Sequence, residues 1–333
     1  MGVARFAGLP CPAFVSAPSR MPATLAYYLH DLNPEVIRFS KSLAIHWYGL
    51  AYVLGFYCCY LVMVRLARRG YGQLKAEQVG DFITYAALFG VVVGGRLGYM
   101  LLYNFNEFIR SPLIIFKLWD GGMASHGGIA GLALFTLYWS WRHKISWTGL
   151  GDNLVVGAPL GILFGRMANF INGELYGRPT DVAWAMKFPT ELHQMDVRPS
   201  DWGLQAAGDV FPQHSPDIIA LVKQVPDGMQ KLEATLHPVH PSQLYEGFAE
   251  GAFLFTVLFL VRTRVKNLPN GVLTGIFFIL YAIARIVCEN FREPDSSLIM
   301  GITKGQFYST FMILIGVAFI AWAYLVNRKK IPT

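Results

Sequence analysis

Charge is scarce in this sequence. Asp, Glu, Lys and Arg make up 15% of its 333 residues, while 54% are hydrophobic; a soluble domain carries roughly 25% charged and 45–50% apolar residues. That shortfall argues against an ordinary soluble domain and makes a membrane protein the leading class. Cysteine is sparse too. Cys11, Cys58, Cys59 and Cys288 show neither disulfide nor metal-ligand spacing, and three of them fall in apolar stretches, so no cysteine framework is expected. The N-terminus lacks a basic leader followed by an apolar core and a cleavage site, so no removable signal peptide is expected. No internal repeat is visible, which speaks against an inverted-repeat transporter. Net charge is +7, but Lys and Arg sit in short clusters between apolar runs. Such clusters report membrane topology rather than a nucleic-acid surface.

Long charge-free runs are what the sequence does have. A spanning helix needs about 20 apolar residues, because each rises about 1.5 Å through a core about 30 Å thick. No Asp, Glu, Lys or Arg lies between Lys41 and Arg65, between Asp120 and Arg142, or between Lys304 and Arg328. These runs predict spans one, three and seven. Span two is expected over about Phe82 to Tyr103, broken by Arg96, and span four over about Asn153 to Phe170, with Arg166. Span five should start near Pro241, carry Glu246 and Glu250 and end at Arg262; span six should run from about Gly271 to Phe291 with Arg285 and Glu289. Basic clusters follow every odd-numbered span: Arg65, Arg68, Arg69 and Lys75; Arg142 and Lys144; Arg262, Arg264 and Lys266; Arg328, Lys329 and Lys330. By the positive-inside rule those ends are cytoplasmic, with the N-terminus outside and the C-terminus inside. The expected fold is an all-α polytopic membrane protein of seven transmembrane helices with a small periplasmic head between helices four and five. The expected divisions are an outer arm over residues 1–40, helices one to four over 41–171, the head over 172–240, and helices five to seven with the C-terminus over 241–333.

Position along these helices is informative. An ionisable residue inside a span costs roughly 3 kcal/mol at the centre of an isolated helix, and so usually faces the bundle or a wet cavity. Arg96, Arg166 and the Arg285/Glu289 pair lie near the exits of outward-running spans, and His46, His126 and Glu246 near the entries of inward-running ones. Six helices therefore bring polar groups to the outer half of the bilayer, while the inner halves read as almost uniformly apolar. Each residue alone could equally snorkel to the interface or close an ion pair. Tyr281, Arg285, Glu289 and Arg292 share one helix face, so Glu289 is expected to pair with Arg285. Gly90, Gly94 and Gly98, and Gly157, Gly161 and Gly165, form stripes that read first as close helix packing and second as room for acyl chains. Guanidinium groups facing an apolar cavity suit a phosphate, which they grip in bidentate fashion. With only Glu246 and Glu289 counted against three arginines, the cluster appears cationic and open to an anion such as a phospholipid headgroup. An anionic-lipid carrier would share that feature.

The segment GRMANFINGELYG at Gly165 to Gly177 is similar to the signature of bacterial prolipoprotein diacylglyceryl transferases. HWYGL at His46, GGRLGYMLLYN at Gly94, WDGGMASHGG at Trp119, HPSQLYE at His240 and RIVCENFREPD at Arg285 match in order, from about residue 30 to the C-terminus. The resemblance implies an inner-membrane enzyme that moves the diacylglyceryl group of phosphatidylglycerol onto the lipobox cysteine of a prolipoprotein signal peptide, without metal or other cofactor. It assigns Arg166 and Arg285 to the phosphate, with Asn169 and Tyr281 as donors, Arg96 as a further phosphate contact or a structural ion pair, and Tyr48 at the headgroup level. His126 matches the family's histidine and is the candidate base for the thiol. Glu174 matches the signature's acid, to orient Arg166 or accept a proton, and Glu246 and Tyr245 anchor the head. Residues 1–26 and most of 178–238 match no motif.

Overall fold

The computed structural model describes residues 27–40, 44–117, 121–204, 208–293 and 301–328. Seven long helices form the bundle: α1 (Trp47–Arg68), α2 (Ala76–Leu102), α3 (Ser125–His143), α4 (Trp147–Asn172), α7 (Ser242–Arg264), α8 (Val272–Glu289) and α9 (Lys304–Arg328). Two shorter ones, α5 (Ser215–Val222) and α6 (Gly228–Thr235), lie in the segment between α4 and α7. All the long helices except α3 are long and apolar enough to cross a membrane, which makes the chain a polytopic helical membrane protein. The expected third span is the exception by composition, because Ser125 and His126 at one end and Trp141, Arg142 and His143 at the other dilute its 19 residues.

Helix α4 is the hub, packing on α1, α7 and α8, while α3 pairs with α2 and α9 lies along α8. The glycine stripes explain how. A Cβ on Gly94 would come within 2.9 Å of the Gly131 Cα, and one on Gly316 would meet the Gly275 carbonyl oxygen at 2.7 Å, so α2 with α3 and α8 with α9 touch backbone to backbone. The α4 stripe divides. Gly157 abuts Cys59 of α1, and Gly161 lets Gly55 approach, but side chains added to Gly161 or Gly165 would meet nothing within 4 Å. That open flank runs toward Arg166. Both α2 and α7 contain a π-helical turn, over Ala86–Val92 and Gly247–Phe253, and such turns recur at functional sites.

The segment after α4 has its own core, in which Leu192, Trp202, Phe211, Ile218, Val222 and Leu232 are buried. The amphipathic helices α5 and α6 are too short to have shown as periodicity in the sequence. Residues 28–30 belong to this unit rather than standing off as an arm: strand β1 (Tyr28–Leu29) pairs in parallel with β4 (Met186–Lys187), and His30 is fully buried against Phe170 and Phe188. Between them, β2 (Glu35–Arg38) and β3 (Ala44–His46) form a hairpin that leads into α1.

The end of the bundle with the basic clusters is not uniformly apolar, contrary to the sequence expectation. Asp152, fully buried on α4, accepts the Gly271 and Thr274 backbone amides at 2.8 Å each and the Thr274 hydroxyl at 2.7 Å. It thereby caps the first turn of α8, whose orphan amides need an acceptor. Arg262 donates to the side-chain amide oxygen Oδ1 of Asn153 at 3.3 Å and stacks over Tyr71. Asp152 sits at the very start of the apolar stretch, which is why a span placed from Asn153 onward missed it.

Candidate active site

At the opposite end, beneath the segment that joins α4 to α7, three helices bring charges together. Arg166 stands on the last turns of α4. Glu246 and Glu250 are spaced one turn apart on α7, Glu250 within the π-helical turn, and Arg285 and Glu289 are spaced likewise at the end of α8. Such i,i+4 spacing keeps both members of each pair on one face.

Glu246 is the centre of the network. It meets Arg285 at 2.7 Å, Arg166 at 2.9 Å and Arg292 at 3.2 Å. Glu250 is held at longer range, 3.3 Å from Arg166 and 3.5 Å from Arg285. The expected Arg285 to Glu289 pair is present at 2.9 Å, with Glu289 against the first turn of α9, where a side chain on Gly305 would collide with it. The Glu246 contact to Arg166 and the Glu289 contact to Arg285 are ion pairs whose alignment falls short of a hydrogen bond. Exposure separates the two kinds of group. Glu246 and Glu250 side chains are 0% exposed, whereas Arg166 and Arg285 retain 16% and 15%. The glutamates form a buried backing, and the arginines face the accessible side with donors to spare for a ligand.

One count from the sequence needs correction. Glu250 joins the cluster and Arg96 does not, so the arginines Arg166, Arg285 and Arg292 meet three glutamates, Glu246, Glu250 and Glu289. The cluster is charge-balanced rather than cationic. Arg96 is 3% exposed, and its five N–H donors go to the backbone carbonyls of Ile114, Ile115, Lys117, Gly121 and Gly122. That leaves no donor for a phosphate and replaces the expected ion pair with a carbonyl cage that folds the segment before α3 against α2.

The signature loop is tied to the bundle by its backbone. Gly173 ends α4 in the left-handed conformation (φ +69°), and Leu175 follows at φ +57°. Gln243 donates to the Glu174 carbonyl at 2.7 Å and Ser242 to the Leu175 carbonyl at 3.1 Å; both side chains are fully buried at the start of α7. Arg178 donates to the Arg292 carbonyl at 2.8 Å. The Glu174 carboxylate accepts from Asn169 at 2.8 Å and Asn172 at 3.2 Å, so its described partners are these amides and not Arg166. Tyr48, at the start of α1, sets its ring against Tyr52 with the centroids 5.4 Å apart. Tyr281 sits one turn before Arg285 on the same face of α8.

His126, in the first turn of α3, is exposed and outside the arginine cluster. Tyr245 is anchored as expected, accepting from Trp184 at 2.6 Å beside His240 at 3.2 Å, and burial pushes the His240 imidazole below its ordinary pKa. Sequence reasoning missed Glu250 as a cluster member and the buried pair Ser242 and Gln243. The i,i+4 spacing of Glu246 and Glu250 was the available signal for the first; hydroxyl and amide contacts to a distant loop leave none.

Comparison with known proteins identifies the family. The family description "Prolipoprotein diacylglyceryl transferase" matches residues 34–322. A relative from Azospirillum brasilense, named phosphatidylglycerol--prolipoprotein diacylglyceryl transferase, is 40% identical over 88% of this chain and 92% of its own length. Relatives of the same name from Bdellovibrio bacteriovorus and Photorhabdus laumondii are 34% and 38% identical, over 90% and 91% of this chain and 96% and 97% of their own. The coverage takes in every charged residue of the cluster, and this chain belongs to the prolipoprotein diacylglyceryl transferase family.

Proposed function

We infer that this chain transfers the diacylglyceryl group of phosphatidylglycerol to the lipobox cysteine thiol of a prolipoprotein, forming a thioether and releasing glycerol phosphate. The observation that carries the reading is the convergence of Arg166 and Arg285, from two helices, on the accessible side of a buried glutamate backing. As the S–C bond forms, the C–O bond to phosphate breaks, and the leaving phosphate gains negative charge while the thiol loses its proton. Preoriented guanidinium groups in a water-poor site stabilise such developing charge. Phosphatidylglycerol lies with its phosphate on Arg166 and Arg285, flanked by Tyr281 and Tyr48, and its acyl chains extend along the open flank of α4 at Gly161 and Gly165. Asn169 acts through Glu174 rather than on the phosphate directly. The thiol, with an ordinary pKa near 8.5, needs a base. His126, exposed in the first turn of α3, is the candidate base, with Glu174 as the second acceptor.

In this reading all seven long helices span a bacterial inner membrane, α3 included. The N-terminus and the segment between α4 and α7 are periplasmic, the latter capping the site and receiving the signal peptide, and the C-terminus is cytoplasmic. Basic residues at the ends of α1, α3, α7 and α9 support that orientation. A lipid carrier without chemistry is the competing reading. It calls for a second exchangeable polar site at the cytoplasmic ends, and the Asp152 carboxylate there is held by two backbone amides and a hydroxyl. The deciding experiment incubates purified protein with phosphatidylglycerol and a lipobox peptide. A diacylglyceryl mass gain on the peptide, lost when its cysteine is replaced by serine, is expected; an unmodified peptide from folded protein refutes the enzyme. His126→Gln tests the base: activity retained with an unchanged pH profile removes it from that role.

A further inference from the structure

The charge balance of the cluster raises a physical problem for any anion that enters it. Three arginines already face three glutamates, and a phosphodiester brings one further negative charge into a site screened from water. An uncompensated buried charge is costly, and a group that can neutralise does so. Of the carboxylates, Glu246 is fixed by three arginines at 2.7 to 3.2 Å, and Glu289 closes one ion pair with Arg285 at 2.9 Å beside the first turn of α9. Glu250 has the longest contacts. It is completely buried, touches Arg166 and Arg285 only at 3.3 and 3.5 Å, and projects from a π-helical turn. The groups acting on it are those two arginines, Glu246 on its own helix, and the Tyr281 hydroxyl and Cys288 thiol of α8.

We propose that Glu250 is the charge-compensating residue of the site: it yields Arg166 and Arg285 to the phosphate of the incoming lipid and takes up a proton from solution as it does so. The proposal rests on the phosphatidylglycerol reading above and deepens it. Glu250 acts through the arginines and does not touch the reacting atoms. With Glu250 protonated, three arginines face two glutamates and one phosphodiester, and the site is neutral again. Binding of anionic lipid is then linked to proton uptake, so affinity rises as pH falls, by up to about tenfold per pH unit for one proton. When product leaves, Glu250 releases the proton and reclaims its arginines.

Isothermal titration of the full-length protein in detergent with phosphatidylglycerol, in buffers of different ionisation enthalpy, counts the protons. Wild type should take up about one proton per lipid; Glu250→Gln, which mimics the protonated carboxyl, should bind lipid without uptake and with a flat pH dependence. Glu250→Asp, which keeps an ionisable carboxyl at that position, should keep the uptake, which covers the case of a Glu250→Gln protein that fails to fold. Lipid binding to wild type without proton uptake overturns the role of Glu250 and leaves the lipid site standing. Uptake that persists in Glu250→Gln also overturns it. Failure of folded wild type to bind phosphatidylglycerol overturns both the site and this inference.

Discussion

The molecule buries charge at both ends of the same helices, and the two ends do it differently. At the basic-cluster end, the oxygens of Asp152 are met by two backbone amides and a threonine hydroxyl of α8. Those donors belong to the helix start itself and have no other position to occupy. At the other end, Glu246 and Glu250 are met by long arginine side chains from α4 and α8, and these can turn from a glutamate to a ligand by rotating a side chain. Burial alone therefore does not mark a functional site. What distinguishes the two clusters is whether the partner atoms are fixed in backbone or carried on side chains with spare donors. Arg96 gives the same lesson within one residue type, since its carbonyl cage makes it a fixture, while Arg285 keeps 15% of its side chain exposed.

The largest expected effect tests the exchangeable end. Arg285→Lys and Arg166→Lys keep the charge but lose the bidentate fork, and each should reduce transfer by about 10²–10³-fold, the scale of a lost transition-state donor, with little change in thermal stability. Near wild-type turnover in both would place the exchangeable site elsewhere. At the fixed end the signs should reverse. Asp152→Ala leaves two helix-start amides without their acceptor and should cost about 1–3 kcal/mol in denaturant titration, while turnover per folded molecule stays within about twofold. A large, specific loss of turnover would erase the contrast.

Arg96→Lys should behave like the fixed end, because three ammonium donors cannot replace five guanidinium ones. About 1–2 kcal/mol of stability should go, with the apparent lipid affinity unchanged; a weakened lipid affinity would return Arg96 to the phosphate. The smallest effect concerns the segment between α4 and α7. His30 is buried beside Ser215, whose hydroxyl is 3.0 Å from its Nδ1, and burial holds its pKa below the ordinary value of 6.5. The unfolded chain binds the proton more readily, so the stability from a neutral His30 is complete above 6.5 and is lost as pH falls below it toward the depressed folded value. His30→Gln should flatten that acid sensitivity, read from melting temperature across the range; an unchanged acid slope would exclude His30 as its source.

The spans were legible because a bilayer imposes one length and one polarity on every helix, and Lys41 to Arg65 or Lys304 to Arg328 satisfy it without reference to any other segment. Arg166, Arg285 and Glu289 were legible as residues in the wrong solvent, and their grouping followed from helix direction. The i,i+4 pair Arg285 and Glu289 needed only helical geometry. Glu250 was visible as a charge but not as a counter-ion, since its partners come from α4 and α8 and no local rule links residues 84 and 35 positions apart.

By itself, then, the sequence determined which segments prefer lipid, which residues resist it and which family's motifs the chain carries, because those properties depend on side-chain chemistry along a single helix. Only the tertiary structure decided that Arg96 is caged by carbonyls, that Asp152 caps α8, and that the arginine cluster is balanced by Glu250. Those outcomes turn on distances of about 3 Å between atoms of different helices, and packing sets such distances through backbone contacts like Gly94 against Gly131, not through the composition of any one segment.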